Sequence, residues 1–123
     1  MNFVGSFLVA ALAVGSWIAV PGGDWNPPEQ TISEIRAGLE PLVRMSATEQ
    51  KKRMPEWSTY TFQFQGQEEG GRKFVFVNAY CTAPQEYSTK RFVSVTDGGP
   101  CFFNVKYDPK LHTFFELGFN GDA

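Results

Sequence analysis

His112 is the only histidine in this chain, and Asp108 lies four residues before it in a turn-forming run, "DPKLHT". An imidazole beside a carboxylate is the simplest general-base pair, able to activate a serine hydroxyl or a water. The same two residues in a solvated turn need have no chemical role, and no G-x-S-x-G, H-E-x-x-H, P-loop or G-x-G-x-x-G accompanies them. Asp97, Asp108 and Asp122 lack the spacing of metal ligands, and turn formation accounts for each of them. "GGR" at 70–72 reads as a hairpin turn rather than a phosphate loop. The residues thus point to no catalytic, cofactor-binding or metal site, and no cofactor is expected.

Cys81 and Cys101 are the only cysteines. Two thiols cannot supply a four-ligand zinc site, even with His112. In an exported protein an even count suggests a disulfide, which over a loop of this size stabilises by roughly 3 kcal/mol in the chain-entropy model. In a chain that is not exported, two buried free thiols are the alternative. Asn78 is out of place on an apolar strand. It either satisfies loop backbone groups or contacts a ligand. Trp57, at the start of the β region, is a second candidate for binding.

These residues need elements to hold them. The 123 residues suit one domain, and 42% of them are hydrophobic, with twelve phenylalanines. A formal charge of -2 is too balanced for a nucleic-acid binder, and Lys51-Lys52-Arg53 reads as a solvated helix end. Residues 3–20, "FVGSFLVAALAVGSWIAV", carry no charged side chain. Residues 1–20 are therefore read as a signal peptide, with small-x-small cleavage patterns at Ala11-Leu12-Ala13 and Ala13-Val14-Gly15, or as an inner-membrane anchor, or as a buried core helix. On the first reading the protein is periplasmic or secreted; on the second, with the segment uncleaved, membrane contact is confined to residues 3–20. Residues 21–30, rich in Pro and Gly, read as a linker, and 31–123 as a single α+β domain.

Within that domain Thr31 and Glu34 form a capping-box pair, and Ile32, Ile35, Leu39, Leu42 and Val43 follow at helical spacing. Pro41 is expected to kink or divide the helix, and Ser46 with Glu49 to start a short second one ending before Pro55. From Trp57 the period becomes two. "STYTFQFQ" alternates as a half-buried antiparallel strand, "GQEEGG" is a hairpin connection, and "RKFVFVNAYC", apolar on both faces, belongs at the centre of a sheet. "RFVSV" at 91–95 reads as a short strand. Asp97-Gly98-Gly99-Pro100 makes a reversal into the strand "CFFNVKY", and "FFELGF" follows. If strand 101–107 pairs antiparallel with strand 72–81, Cys81 and Cys101 meet and 91–95 must be peripheral. A simple meander through 91–95 would instead put them at opposite ends. The aromatic residues exceed what one helix can cover, so the linker covers the second sheet face, or some of them line a partner surface or an apolar pocket.

One helix followed by four or five antiparallel strands is similar to the cystatin arrangement. The pattern "VNAYC…VSVTDGGPCFFNVKYD…FFELGFNGDA", over residues 74–123, resembles small exported bacterial proteins that share an Asn-x-x-Cys strand end, a DGG-x-C-F-F turn and a terminal Asn-Gly-x-Ala. The resemblance implies a fold and a location, and no activity. Cystatin inhibitors carry a Gln-x-Val-x-Gly loop, whereas Gln63-Phe64-Gln65-Gly66 lacks the valine and one residue of spacing, so protease inhibition is not carried over. The reading that follows is a non-enzymatic binding module for a protein or envelope component, of which an inhibitor or immunity role is one form. A small-molecule carrier with an apolar pocket between helix and sheet is the alternative, and a hydrolase using His112 and Asp108 the third.

Overall fold

The computed structural model describes residues 16–121. Its elements are β1 (Ser16–Ala19), α1 (Glu29–Glu49), β2 (Thr61–Glu69), β3 (Arg72–Tyr80), β4 (Phe102–Asp108) and β5 (Thr113–Phe119), with short 3-10 turns at Trp57–Thr59, Glu86–Thr89 and Gly99–Cys101. The strands form one sheet in the order β1-β2-β3-β4-β5. The β1–β2 pairing is parallel and the other three are antiparallel, so this is an α+β fold with one helix packed on a mixed sheet.

The helix buries one stripe. Ile32, Ile35, Leu39, Val43 and Ala47 recur every three or four residues and are at most 2% exposed. The expected Thr31–Glu34 capping box does not form. Pro28, with φ fixed near the helical value and no N–H to leave unpaired, precedes a helix that starts at Glu29, and its carbonyl accepts from Thr31 and Ile32. Pro41 does not divide the helix, which runs unbroken through it. Pro41 and Ala37, one turn before it, are both exposed, on the side of the helix away from the buried stripe. Nor does Ser46 start a second helix. It sits inside α1, its carbonyl accepts from the Gln50 N–H, and Lys51, at φ 56°, turns the chain out.

The sheet differs from expectation in its membership. "RFVSV" is not a strand; β3 pairs directly with β4, through Val77↔Val105 and Tyr80↔Phe102, and residues 82–98 are an irregular excursion. The fifth strand comes instead from Ser16–Ala19, in the stretch read as the end of a leader, and Trp17 stacks on Phe62 with ring centroids 4.4 Å apart. The first 15 residues of that leader reading lie outside the described residues. The stretch read as a linker is laid along β2: Val20 N–H donates to Phe64 O, Asp24 N–H to Gly66 O, and Trp25 forms a bridge with Gly66. α1 itself begins within the expected linker.

Between α1 and the sheet lies a core in which Ile35, Leu39, Val43, Val75, Val77 and Val105 have no exposure. Trp57, Tyr60, Phe62 and Phe103 pack ring against ring at one end of it, with centroids 5.1–6.4 Å apart. The second sheet face is covered in part by the 82–98 excursion, where Phe92 meets Phe76 edge-on at 5.1 Å.

Candidate functional site

The residues singled out by sequence separate into structural and surface groups. Cys81 and Cys101 are joined by a disulfide with a Cα–Cα distance of 4.9 Å, and the Cys81 N–H donates to Cys101 O. The antiparallel β3–β4 pairing brings them together, with 91–95 peripheral. Asp97-Gly98-Gly99-Pro100 is the reversal ahead of β4. Gly98 sits at φ 101°, and Asn120 donates to the carbonyls of Val95 and Asp97 to tie the C-terminal strand to it.

Asn78 satisfies loop backbone. Its Nδ2 donates to Val93 O at 2.9 Å and to Gln63 Oε1 at 3.0 Å. Gln63, fully buried, extends the clamp: Nε2 donates to the carbonyls of Ser88 and Arg91, and Oε1 accepts from the Val93 N–H. Both amide protons of Asn78 are thus spent inside the protein. Trp57 is 8% exposed and belongs to the core, so it offers no binding surface.

His112 and Asp108 do not bond to each other but have separate partners. Asp108, 4% exposed, accepts from the backbone N–H groups of Lys110 and Leu111 and from Arg72 Nε at 2.9 Å. Burial alone would raise its pKa, but the Leu111 amide, Arg72 and the Lys110 amide outweigh it and hold the carboxyl below the usual range. His112, at φ 54° in the same turn, places Nδ1 3.0 Å from Glu34 Oε1 on α1. The same oxygen accepts from the Tyr107 hydroxyl at 2.7 Å. The Tyr107 hydroxyl, then the His112 ring, hold the Glu34 carboxyl below its ordinary pKa, while burial, then the bond to Glu34, push Tyr107 up to about 12. This trio fastens the β4–β5 turn to the helix. Among the described residues no three His, Cys, Asp or Glu side chains gather to hold a metal ion, and Asp122 lies outside them.

The open concavity is elsewhere. The β3–β4 register carries Arg72 to the level of the β4–β5 turn, so the tips of two hairpins stand side by side at one end of the sheet. Between them is a cleft of about 490 Å³, lined by Trp25, Gly70, Gly71, Arg72, Lys73, Asp108, Pro109 and Lys110. The Trp25 indole N–H donates to Gln67 O at 3.0 Å and Phe74 O at 3.1 Å, which fixes the ring as one wall. The Arg72 guanidinium lies 3.8 Å over the Phe115 ring and is held edge-on by Asp108. Lys73 Nζ stands 5.8 Å from the Trp25 ring. Sequence reading took "GGR" and "DPK" as separate turns. Only the strand order places them together, and the sole local hint was that both turns carry cations. Set against protein families, curated proteins and solved structures, the chain matches no family model, no curated protein and no solved structure.

Proposed function

We propose that this chain is an exported, non-catalytic binding domain that engages a protein or envelope component through the cleft at its hairpin tips. The observation that carries this is the cleft itself: about 490 Å³, within the range of natural binding sites, and walled by fixed side chains. The helix–sheet interface, where a carrier pocket would have to lie, is occupied by side chains with no exposure, which favours a surface contact over an enclosed ligand. Export is supported by the disulfide and by the apolar N-terminal run. Cleavage after Ala13 or Gly15 would leave β1 intact at the head of the mature chain. No helix among the described residues is long and apolar enough to cross a membrane.

The test uses the disulfide-bonded protein as bait against a solubilised envelope extract, beside a Lys73→Glu/Lys110→Glu variant. A partner retained by the parent and lost from the variant is the expected result. Identical retention by both would remove the cleft from the proposal.

A further inference from the structure

Asn120 and Gly121 are tied to the reversal before β4 by four hydrogen bonds. Asn120 Nδ2 donates to Val95 O at 2.9 Å and to Asp97 O at 3.0 Å. The Asn120 N–H donates to Phe102 O at 2.9 Å, and Gly121 O accepts from the Gly99 N–H at 3.1 Å. The end of β5 is thereby fastened to the turn that ends the 82–98 excursion.

The same dipeptide is the one best suited to react with itself. An asparagine side chain is open to attack at Cγ by the backbone nitrogen of the following residue, which closes a five-membered imide. The attack needs an N–H on that nitrogen and little bulk beside it. Asn26 precedes Pro27, which has no N–H. Asn78 and Asn104 precede Ala79 and Val105, which are buried inside β3 and β4. Among the asparagines of the described residues, Asn120 alone precedes a glycine, and Gly121 is exposed and outside any helix or strand. Asn120 also lines a pocket of about 60 Å³, shared with Asn78, Val95, Phe102 and Asn104, which has room for water.

We propose that Asn120 is a self-modification site whose reaction releases this turn irreversibly. The Gly121 nitrogen bonds to Asn120 Cγ, the Cγ–Nδ2 bond breaks, and the proton displaced from the Gly121 nitrogen passes through solvent to Nδ2, which leaves as ammonia. Water then opens the imide at either carbonyl, giving aspartate or isoaspartate, with no oxidant, reductant or cofactor. In both products the two side-chain N–H donors are gone and a carboxylate stands in their place. The carbonyls of Val95 and Asp97 can only accept, so a stabilising contact becomes a repulsive one. The fold sets the timing. While the ties hold, the Asn120 carboxamide and the Gly121 peptide are both fixed, and the ring closes only when the end of β5 opens. At ordinary net strength, the two side-chain bonds alone correspond to a slowing of about tenfold or more.

The disulfide-bonded full chain is incubated in mildly alkaline buffer, with and without urea. Residue 120 is followed by peptide mass spectrometry, with isoaspartate methyltransferase labelling for the isomer. Replacement of the amide nitrogen by oxygen at residue 120 is expected, faster in urea by about tenfold or more. Gly121→Ala, whose Cβ meets no heavy atom within 4 Å, should keep the fold and slow the reaction sharply. Asn120→Asp supplies one product directly. The Gly99 amide, bonded to Gly121 O, should then exchange with solvent about tenfold faster than in the parent, while the Val77 amide still exchanges only with global unfolding. No conversion at residue 120 in the unfolded chain ends the proposal, as does one rate shared by folded and unfolded protein, an unchanged rate in Gly121→Ala, or an Asn120→Asp protein whose Gly99 amide exchanges as in the parent.

Discussion

Replacing Gln63 with methionine tests how the 82–98 excursion is held. The substitution keeps the volume and removes every polar atom from a side chain with no exposure. Four hydrogen bonds go at once: Gln63 Nε2 to Ser88 O at 2.9 Å and to Arg91 O at 2.8 Å, and Oε1 from Val93 N–H at 2.8 Å and from Asn78 Nδ2 at 3.0 Å. At about 0.5–1.5 kcal/mol net each, the sum is about 2–6 kcal/mol. The excursion lies at the surface and can lift to let water reach the freed carbonyls, so the lower half applies, about 3 kcal/mol. With a urea dependence of about 1.5 kcal/mol per molar, the midpoint should fall by about 2 M. Hydrogen exchange locates the effect. The Val93 amide should lose protection through local opening, while the Val77 amide in the central strand should exchange only with global unfolding. A midpoint shift below about 0.5 M with Val93 still protected would show that the Phe92–Phe76 contact, not the amide clamp, secures the excursion, and would refute the reasoning.

Three further outcomes follow from the geometry. Reducing the Cys81–Cys101 disulfide, which spans 20 positions, should cost about 3 kcal/mol in equilibrium urea unfolding; an unchanged midpoint contradicts this. Gly98→Ala forces a side chain into φ 101°, with its Cβ 2.5 Å from the Phe102 ring, and should lower stability by about 1–3 kcal/mol, whereas Gly118→Ala, where a Cβ meets nothing within 4 Å, should change it by under about 0.5 kcal/mol. The Glu34 carboxyl titrates below its ordinary 4.5 when folded, so its contribution is present above that value and is lost as pH falls through the folded-state pKa. Melting temperatures of the parent and Glu34→Gln should accordingly differ at pH 7 and converge towards pH 3; a constant difference would mean that the Tyr107 and His112 contacts are not responsible.

The strands with a strong period were legible because burial on one or both faces dictates the pattern. Phe62 and Phe64 alternate with Gln63 and Gln65, and 74–80 is apolar on both faces apart from Asn78, so β2 and β3 were foreseeable, whereas the direct pairing of β3 with β4 was one of two arrangements that the sequence left open. β1 was not, because "SWIA" lies inside a longer uncharged run whose composition speaks for a leader, and four residues carry no period of their own. "RFVSV" misled for the opposite reason. Its composition is strand-like, but Gln63 and Asn78 already bind its backbone from the sheet face, so it lies across the sheet rather than in it. The Thr31–Glu34 pair resembled a helix cap, and Glu34 is instead recruited over 73 residues by Tyr107, a contact no local window contains. The cleft was hidden similarly, since Arg72 and Lys110 become neighbours only through the pairing of β3 with β4.

Ser16 pairs with Thr61 at the start of β2, and Gly121 accepts a hydrogen bond from Gly99 beside the start of β4, so both described termini lie at one pole of the molecule. The hairpin tips lie at the other, separated by the nine residues of β2, about 30 Å at strand rise. A load applied at Ser16 or at Gly121 therefore enters the domain at the pole opposite the hairpin tips, through the paired starts of β2 and β4.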